Sequence, residues 1–151
     1  MAAKQFFDRA KLKAFPKTSG KTGIHLFVPC TGFDFQQARA IAENICEGIH
    51  TLVPSITTTS VSIDSRGDKL YIDPNQNDFA DTVAAPYSLR PHYLPTVSTP
   101  LEWREIKPGL DNTSFTVKTV LGRLKKKNDL FIKVHDKKIA EVNSRALLKF
   151  N

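Results

Sequence analysis

The chain has 151 residues, 40% of them hydrophobic and 25% charged, with a formal net charge of +7. That length suits one domain with a sizeable core, and the composition argues against wholesale disorder. No run of about 18 apolar residues is present, and Met1-Ala2-Ala3-Lys4-Gln5-Phe6-Phe7 lacks the order of a secretory signal. A soluble, intracellular protein with no membrane partner is the expectation.

The charge is unevenly placed. Residues 1–117 hold 12 Lys+Arg and 12 Asp+Glu, whereas residues 118–151 hold 10 and 3, so the whole excess lies at the C-terminal end. Such an end suits a polyanion, because Lys and Arg that neutralise phosphates release condensed counterions. Lys125, Lys126 and Lys127 are the candidate DNA contacts; a short lysine run equally suits the last turn of a helix, where it meets the dipole. Cys30 and Cys46 have no metal-ligand or disulfide spacing and read as small buried side chains.

Along the chain, Phe6, Phe7, Ala10 and Leu12 fit the last turns of an amphipathic helix without a clear cap. Residues 17–23 form a polar, glycine-punctuated turn before a strand over 24–29, with Ile24, Leu26 and Val28 toward a core and His25 and Phe27 away from it. Asp34 followed by Gln37 has the layout of a capping box, and Ala38, Ile41, Ala42, Ile45 and Ile49 keep a helical stripe over about 35–50. β-Branched residues 57–63, a Ser65-Arg66-Gly67-Asp68 turn and residues 69–73 predict two strands in a hairpin. Five prolines between 79 and 111 permit only short extended pieces there. Further helices are expected over 113–126 and 137–149.

These elements predict an α/β (α+β) fold: a mainly antiparallel sheet built from 24–29, 57–63 and 69–73 with helices packed on its face.

Chemistry concentrates at three places. Lys69, Tyr71 and Asp73 share one face of their strand by the two-residue period, and Asp73, just before Pro74, is where a metal ligand would be held firmly yet open to solvent. An Asp that ends a strand also commonly caps a turn. Ser19-Gly20-Lys21-Thr22-Gly23-Ile24-His25 offers hydroxyls, an ammonium, backbone N–H groups and an imidazole, all phosphate-binding groups. Gly20-Lys21-Thr22 matches the end of a Walker A loop, but Phe15 occupies the position of its first glycine and a strand follows instead of a helix. Arg90, framed by Pro86 and Pro91, could direct a bidentate guanidinium at phosphate oxygens.

Taken in order, Lys17-Thr18-Ser19-Gly20 with Gly23-Ile24-His25, then residues 66–73 with Gln76-Asn77, then Ala85-Pro86-Tyr87-Ser88-Leu89-Arg90 resemble the polymerase domain of bacterial DNA ligase D, in the archaeo-eukaryotic primase superfamily. Val97-Ser98-Thr99-Pro100-Leu101-Glu102-Trp103 extends the likeness, which covers nearly all of 15–130.

The resemblance implies a single domain corresponding to the C-terminal half of such a polymerase domain. It also implies nucleotide addition at DNA ends during end joining, with Mn²⁺ or Mg²⁺ as cofactor and NTP or dNTP as substrate, in a bacterial cytoplasm near the nucleoid. Ser19 and His25 would contact the triphosphate, Arg90 would hold its oxygens with Arg66 and Lys69 as helpers, and Asp73 would be the catalytic, third metal-binding carboxylate. Lys21 is a nucleotide candidate offset by one position, since many members carry the lysine where this chain has Thr22.

The family's Asp-x-Asp strand upstream of the Ser-Gly block has no counterpart here, where Asp8 is the one carboxylate before Ser19. The expectation is a polymerase site incomplete by itself, its partner a separate chain carrying the upstream half or a ligase. The alternative is a non-catalytic DNA-end-binding module that uses the basic C-terminal region.

Overall fold

The computed structural model describes residues 1–91 and 93–150. They form two compact units, one made of residues 1–12, 30–82 and the chain from Glu141 on, the other of residues 13–29 and 83–140.

In the first unit α1 (Ala2–Arg9) packs against α2 (Phe35–Leu52). The capping box expected at Asp34 is present: its carboxylate accepts from Gln37 N–H at 2.8 Å, and the Gln37 side chain accepts from Asp34 N–H at 3.0 Å. Ile41, Ile45, Cys46 and Ile49 form the buried stripe. Gly48 lets the two helices approach, since a Cβ there would stand 2.3 Å from a Phe6 ring carbon. The end of α4 (Lys137–Leu147) completes this core with buried Asn143 and Leu147, and Phe6 meets Phe150 edge to face at 5.9 Å.

The hairpin expected over 57–73 is corrected by this unit. β3 (Thr57–Thr58) and β4 (Leu70–Tyr71) are short and pair in parallel, Thr57 with Leu70 and Thr58 with Tyr71. The intervening chain curls instead of turning back, because the Arg66 guanidinium donates to the carbonyls of Ser60 at 3.1 Å and Val61 at 2.7 Å. Gly67, at φ +52, supplies the left-handed residue in that curl.

In the second unit β1 (Phe15–Thr18) pairs antiparallel with β2 (Ile24–Phe27), and β5 (Leu89–Arg90) pairs antiparallel with β6 (Thr96–Val97). β1 takes the first two residues of the segment read as a turn, so Lys17 and Thr18 are strand residues and the turn proper is 19–23. Among the described residues, the single sheet expected from 24–29, 57–63 and 69–73 is thereby replaced by three two-stranded ones. Residues 96–101 are wholly buried and bond to β1 through Thr18 N–H to Thr99 O (2.9 Å) and Leu101 N–H to Pro16 O (2.9 Å). On its other edge the same segment bonds to residues 87 and 88.

α3 (Val117–Lys127) begins four residues later than the sequence pattern suggests. Thr116 is extended and caps it, while Asp111 caps a separate 3₁₀ turn at Asn112–Ser114. Cys30 is exposed, contrary to the expectation of a buried thiol, and Cys46 is buried as expected.

A charged cluster fixes α3 to the 3₁₀ turn at Trp103–Glu105. Arg123 donates to both Glu105 oxygens at 2.5 Å, and Lys127 bonds to Glu102 and lies 3.1 Å from Glu105. Burial raises the Glu105 carboxyl, but hydrogen bonds from Arg123, the Glu102 N–H and Lys127 outweigh it and bring it down to about 2. A carboxyl depressed from an ordinary 4.5 contributes stability at pH above 4.5 and loses it as pH falls toward 2. That contribution is at most about 3 kcal/mol. Acid unfolding followed by circular dichroism should therefore flatten over this window in Glu105→Gln; an unchanged acid limb would remove Glu105 as its source.

Candidate nucleotide-binding site

The sequence-predicted residues divide between the units: Arg66, Lys69 and Asp73 lie in the first, and Ser19, Lys21, His25, Arg90 and Lys125–Lys127 in the second.

In the second unit, antiparallel pairing sets Lys17 directly opposite His25, so both side chains leave the same face of the β1–β2 ribbon. Lys17 is fully buried, which is rare for a lysine unless its ammonium is satisfied. It is satisfied here: Nζ lies 3.1 Å from His25 Nδ1, 2.5 Å from Ser98 Oγ and 3.4 Å from Thr18 O. Ser98 Oγ in turn donates to Thr18 O at 2.7 Å. Burial, and then the positive charge of Arg90, lower the Lys17 amine to about 8.

Ser19 opens the turn that follows. Its hydroxyl oxygen accepts from Lys21 N–H at 3.1 Å and Gly23 N–H at 3.0 Å, which leaves its own proton for another acceptor. Asn112 braces the loop from outside by donating to Lys21 O at 3.0 Å. Lys21 and Thr22 are exposed.

Gly20 makes the closest approach. It sits at φ +76, and a Cβ there would be 2.3 Å from Arg90 Cγ and 3.2 Å from the Ser98 backbone nitrogen. The Arg90 stem therefore passes over bare backbone. Its Nε is buried without a hydrogen-bond partner, an uncommon state for a guanidinium nitrogen. Ser19, His25 and Arg90 are thus gathered around a turn that follows directly on the strand holding the buried Lys17. An open cleft of about 580 Å³ in the same unit, lined by Arg104, Glu105, Lys107, Asp111, Ser114 and Phe115 among others, contains none of the predicted residues.

In the first unit, Asp73 is exposed at the end of β4, and its Oδ1 accepts from Asn75 N–H at 2.9 Å and Tyr71 OH at 3.3 Å. The carboxylate caps the turn that ends the strand. Arg66 has its guanidinium committed to backbone carbonyls and stacked 3.8 Å over the Tyr71 ring. Lys69 and Leu70 are exposed. Among the described residues no group of three or more His, Cys, Asp or Glu is placed to hold a metal ion, so Asp73 offers one ligand and not a cage. Lys125 and Lys126 are exposed at the end of α3, whereas the charge of Lys127 is taken up by Glu102 and Glu105.

Lys17, Ser98 and Asn112 were not singled out as site residues by sequence reasoning. Thr-Val-Ser-Thr-Pro at 96–100 carried a usable signal for Ser98: a short β-branched stretch with hydroxyls at 96, 98 and 99.

The mixed helix-and-strand fold and the Ser-Gly turn, with His25, Arg90 and the buried Lys17 around it, make the second unit the place where the candidate phosphate-binding groups gather. The comparison with known proteins then makes the assignment specific. The family model "LigD, primase-polymerase domain" matches residues 1–131, and the chain belongs to that family. It is 35% identical over 125 residues to the bifunctional non-homologous end joining protein LigD of Bacillus subtilis, covering 82% of this chain and 20% of that protein. With the multifunctional non-homologous end joining protein LigD of Mycolicibacterium smegmatis it shares 36% over 121 residues, 79% of this chain and 16% of that one. The chain thus spans about a fifth or less of the length of these relatives. The polymerase domain of Mycobacterium tuberculosis ligase D, solved in complex with DNA, superposes with a TM-score of 0.81 at 30% identity, over 88% of this chain and 46% of that one. Among the described residues no helix is long and apolar enough to cross a membrane.

Proposed function

We propose that this chain supplies the triphosphate-facing part of an end-joining polymerase site, binding a nucleoside triphosphate through Ser19, His25 and Arg90 and binding DNA as the M. tuberculosis domain does. The observation that carries this reading is Arg90, whose buried Nε lacks a partner while its stem is packed on Gly20 beside the Ser19 hydroxyl and the Lys17–His25 pair. An incoming phosphate oxygen would satisfy that donor, and charge-assisted bonds of this kind are the strong ones.

Nucleotidyl transfer asks a protein mainly to align the attacking hydroxyl and to stabilise charge on the leaving pyrophosphate. Ser19, His25 and Arg90 serve the second task. Mn²⁺ or Mg²⁺ would activate the hydroxyl and neutralise phosphate charge. Asp73, in the first unit, is proposed as a metal-binding carboxylate from its place in the motif order, and no Asp-x-Asp occurs in this sequence to add to it. Exposed Lys125 and Lys126 are proposed as backbone contacts to DNA, in a protein of the bacterial cytoplasm that works at the nucleoid beside a ligase.

The test pairs calorimetric titration of the 151-residue chain with Mn²⁺-ATP and a primer-extension assay. ATP binding that is weakened by Arg90→Ala and, in its metal dependence, by Asp73→Ala is expected, with no extension by the isolated chain. Robust extension abolished by Asp73→Ala would overturn the incompleteness. Binding of DNA ends with no affinity for ATP and no effect of Asp73→Ala would leave a DNA-end-binding module in place of a nucleotide site.

A further inference from the structure

Lys17 touches three acceptors with an amine that has three protons to give: His25 Nδ1, Ser98 Oγ and Thr18 O. The Ser98 hydroxyl cannot donate back, because it donates to Thr18 O. The direction of the network is therefore set by Thr18 O, which can only accept, and the Lys17 ammonium is the donor at His25 as well. A neutral imidazole that accepts at Nδ1 carries its proton on Nε2.

We propose that Lys17 is a positioning residue that fixes His25 in the Nε2–H tautomer, so that the imidazole offers a hydrogen-bond donor, and not a lone pair, to a phosphate oxygen. This rests on the reading of the Ser19–His25 block as a triphosphate site. Lys17 itself is sealed from solvent and reaches no ligand; it acts through the ring. The same arrangement explains why a lysine stands at a wholly buried strand position: an apolar side chain there would leave Nδ1 free to take the proton.

The tautomer is read directly from the ring-nitrogen shifts and the long-range proton–nitrogen couplings of His25 in the ¹⁵N-labelled chain near neutral pH, without any variant. A dominant Nε2–H form is expected, and a dominant Nδ1–H form would overturn the assignment. In Lys17→Met, which keeps an unbranched side chain without the amine, the ring should become a mixture of tautomers and affinity for Mn²⁺-ATP should fall about tenfold, the worth of one oriented hydrogen bond. An unchanged tautomer ratio in a folded Lys17→Met chain would also overturn it. Should the unaltered chain show no affinity for ATP, the triphosphate reading fails on that result, whereas the tautomer measurement still decides the role of Lys17.

Discussion

Gly20→Ala should destabilise the chain by about 2–5 kcal/mol and abolish detectable ATP binding in the same stroke. Two independent costs meet at this residue. At φ +76 an alanine is in the left-handed region, where its Cβ crowds the following carbonyl. That Cβ would also lie 2.3 Å from Arg90 Cγ and 3.2 Å from the Ser98 backbone nitrogen.

The Arg90 stem can swing, but the backbone of the buried 96–101 segment cannot move without breaking its bonds to β1. Relief therefore comes mainly by expelling Arg90, which removes the guanidinium from the Ser19 turn. Urea denaturation and calorimetry on Gly20→Ala and Gly23→Ala check this together. Gly23 has no positive φ, and a Cβ there would meet Ser19 Oγ at an ordinary 3.6 Å, so that substitution should be mild. Equal effects at the two glycines would contradict the account.

The second large effect is on the pH dependence of stability. The Lys17 amine is lowered from an ordinary 10.5 to about 8 by burial and by Arg90. Below pH 8 both the folded and unfolded chains hold this proton, and the folded state bears the full cost of a buried ammonium. As pH rises from 8 to 10.5 the unfolded chain still holds the proton that the folded chain has released, so this group makes stability increase with pH, by at most about 3 kcal/mol.

Cys46, raised to about 11 by burial and by Asp73 and Glu43, works in the opposite direction above 9. Tyr87, raised by burial and by its bond to Asp129, does the same above 10. The comparison that isolates Lys17 is therefore the difference in unfolding free energy between Lys17→Met and the unaltered chain, measured by urea titration across this range. That difference should fall by about 2–3 kcal/mol from pH 8 to 10.5. A constant difference would mean that Lys17 keeps an ordinary affinity for its proton.

Both predictions concern residues whose importance was unequally visible in the chain. Local rules were enough for α2: Asp34 and Gln37 are three positions apart, the spacing of a capping box, and the apolar stripe from Ile41 to Ile49 has the helical period. They were enough for α3 and α4 to within a few residues, and the one displaced boundary arose because both Asp111 and Thr116 are cap formers and each caps its own turn. Motif order was enough to name the family, and Ser19, His25 and Arg90 do gather around one turn.

The pairing of strands was not legible. Residues 57–58 and 70–71 look like the arms of a hairpin because a Gly-Asp turn separates them, yet the parallel register is imposed by Arg66, whose side chain bonds six and five residues back along the chain. A guanidinium reaching distant carbonyls leaves no periodic trace. β1 was hidden for a related reason: Lys17 interrupts the apolar alternation, and a lysine ordinarily marks solvent.

Sequence by itself determined the class of fold, the helices and the family, because capping, periodicity and motif spacing are local. Tertiary structure alone decided that Lys17 is a buried strand residue facing His25, that Gly20 is where Arg90 passes over the backbone, and that Lys127 is committed to Glu102 and Glu105. Each of those facts depends on which distant acceptor or void a side chain meets after the strands have paired.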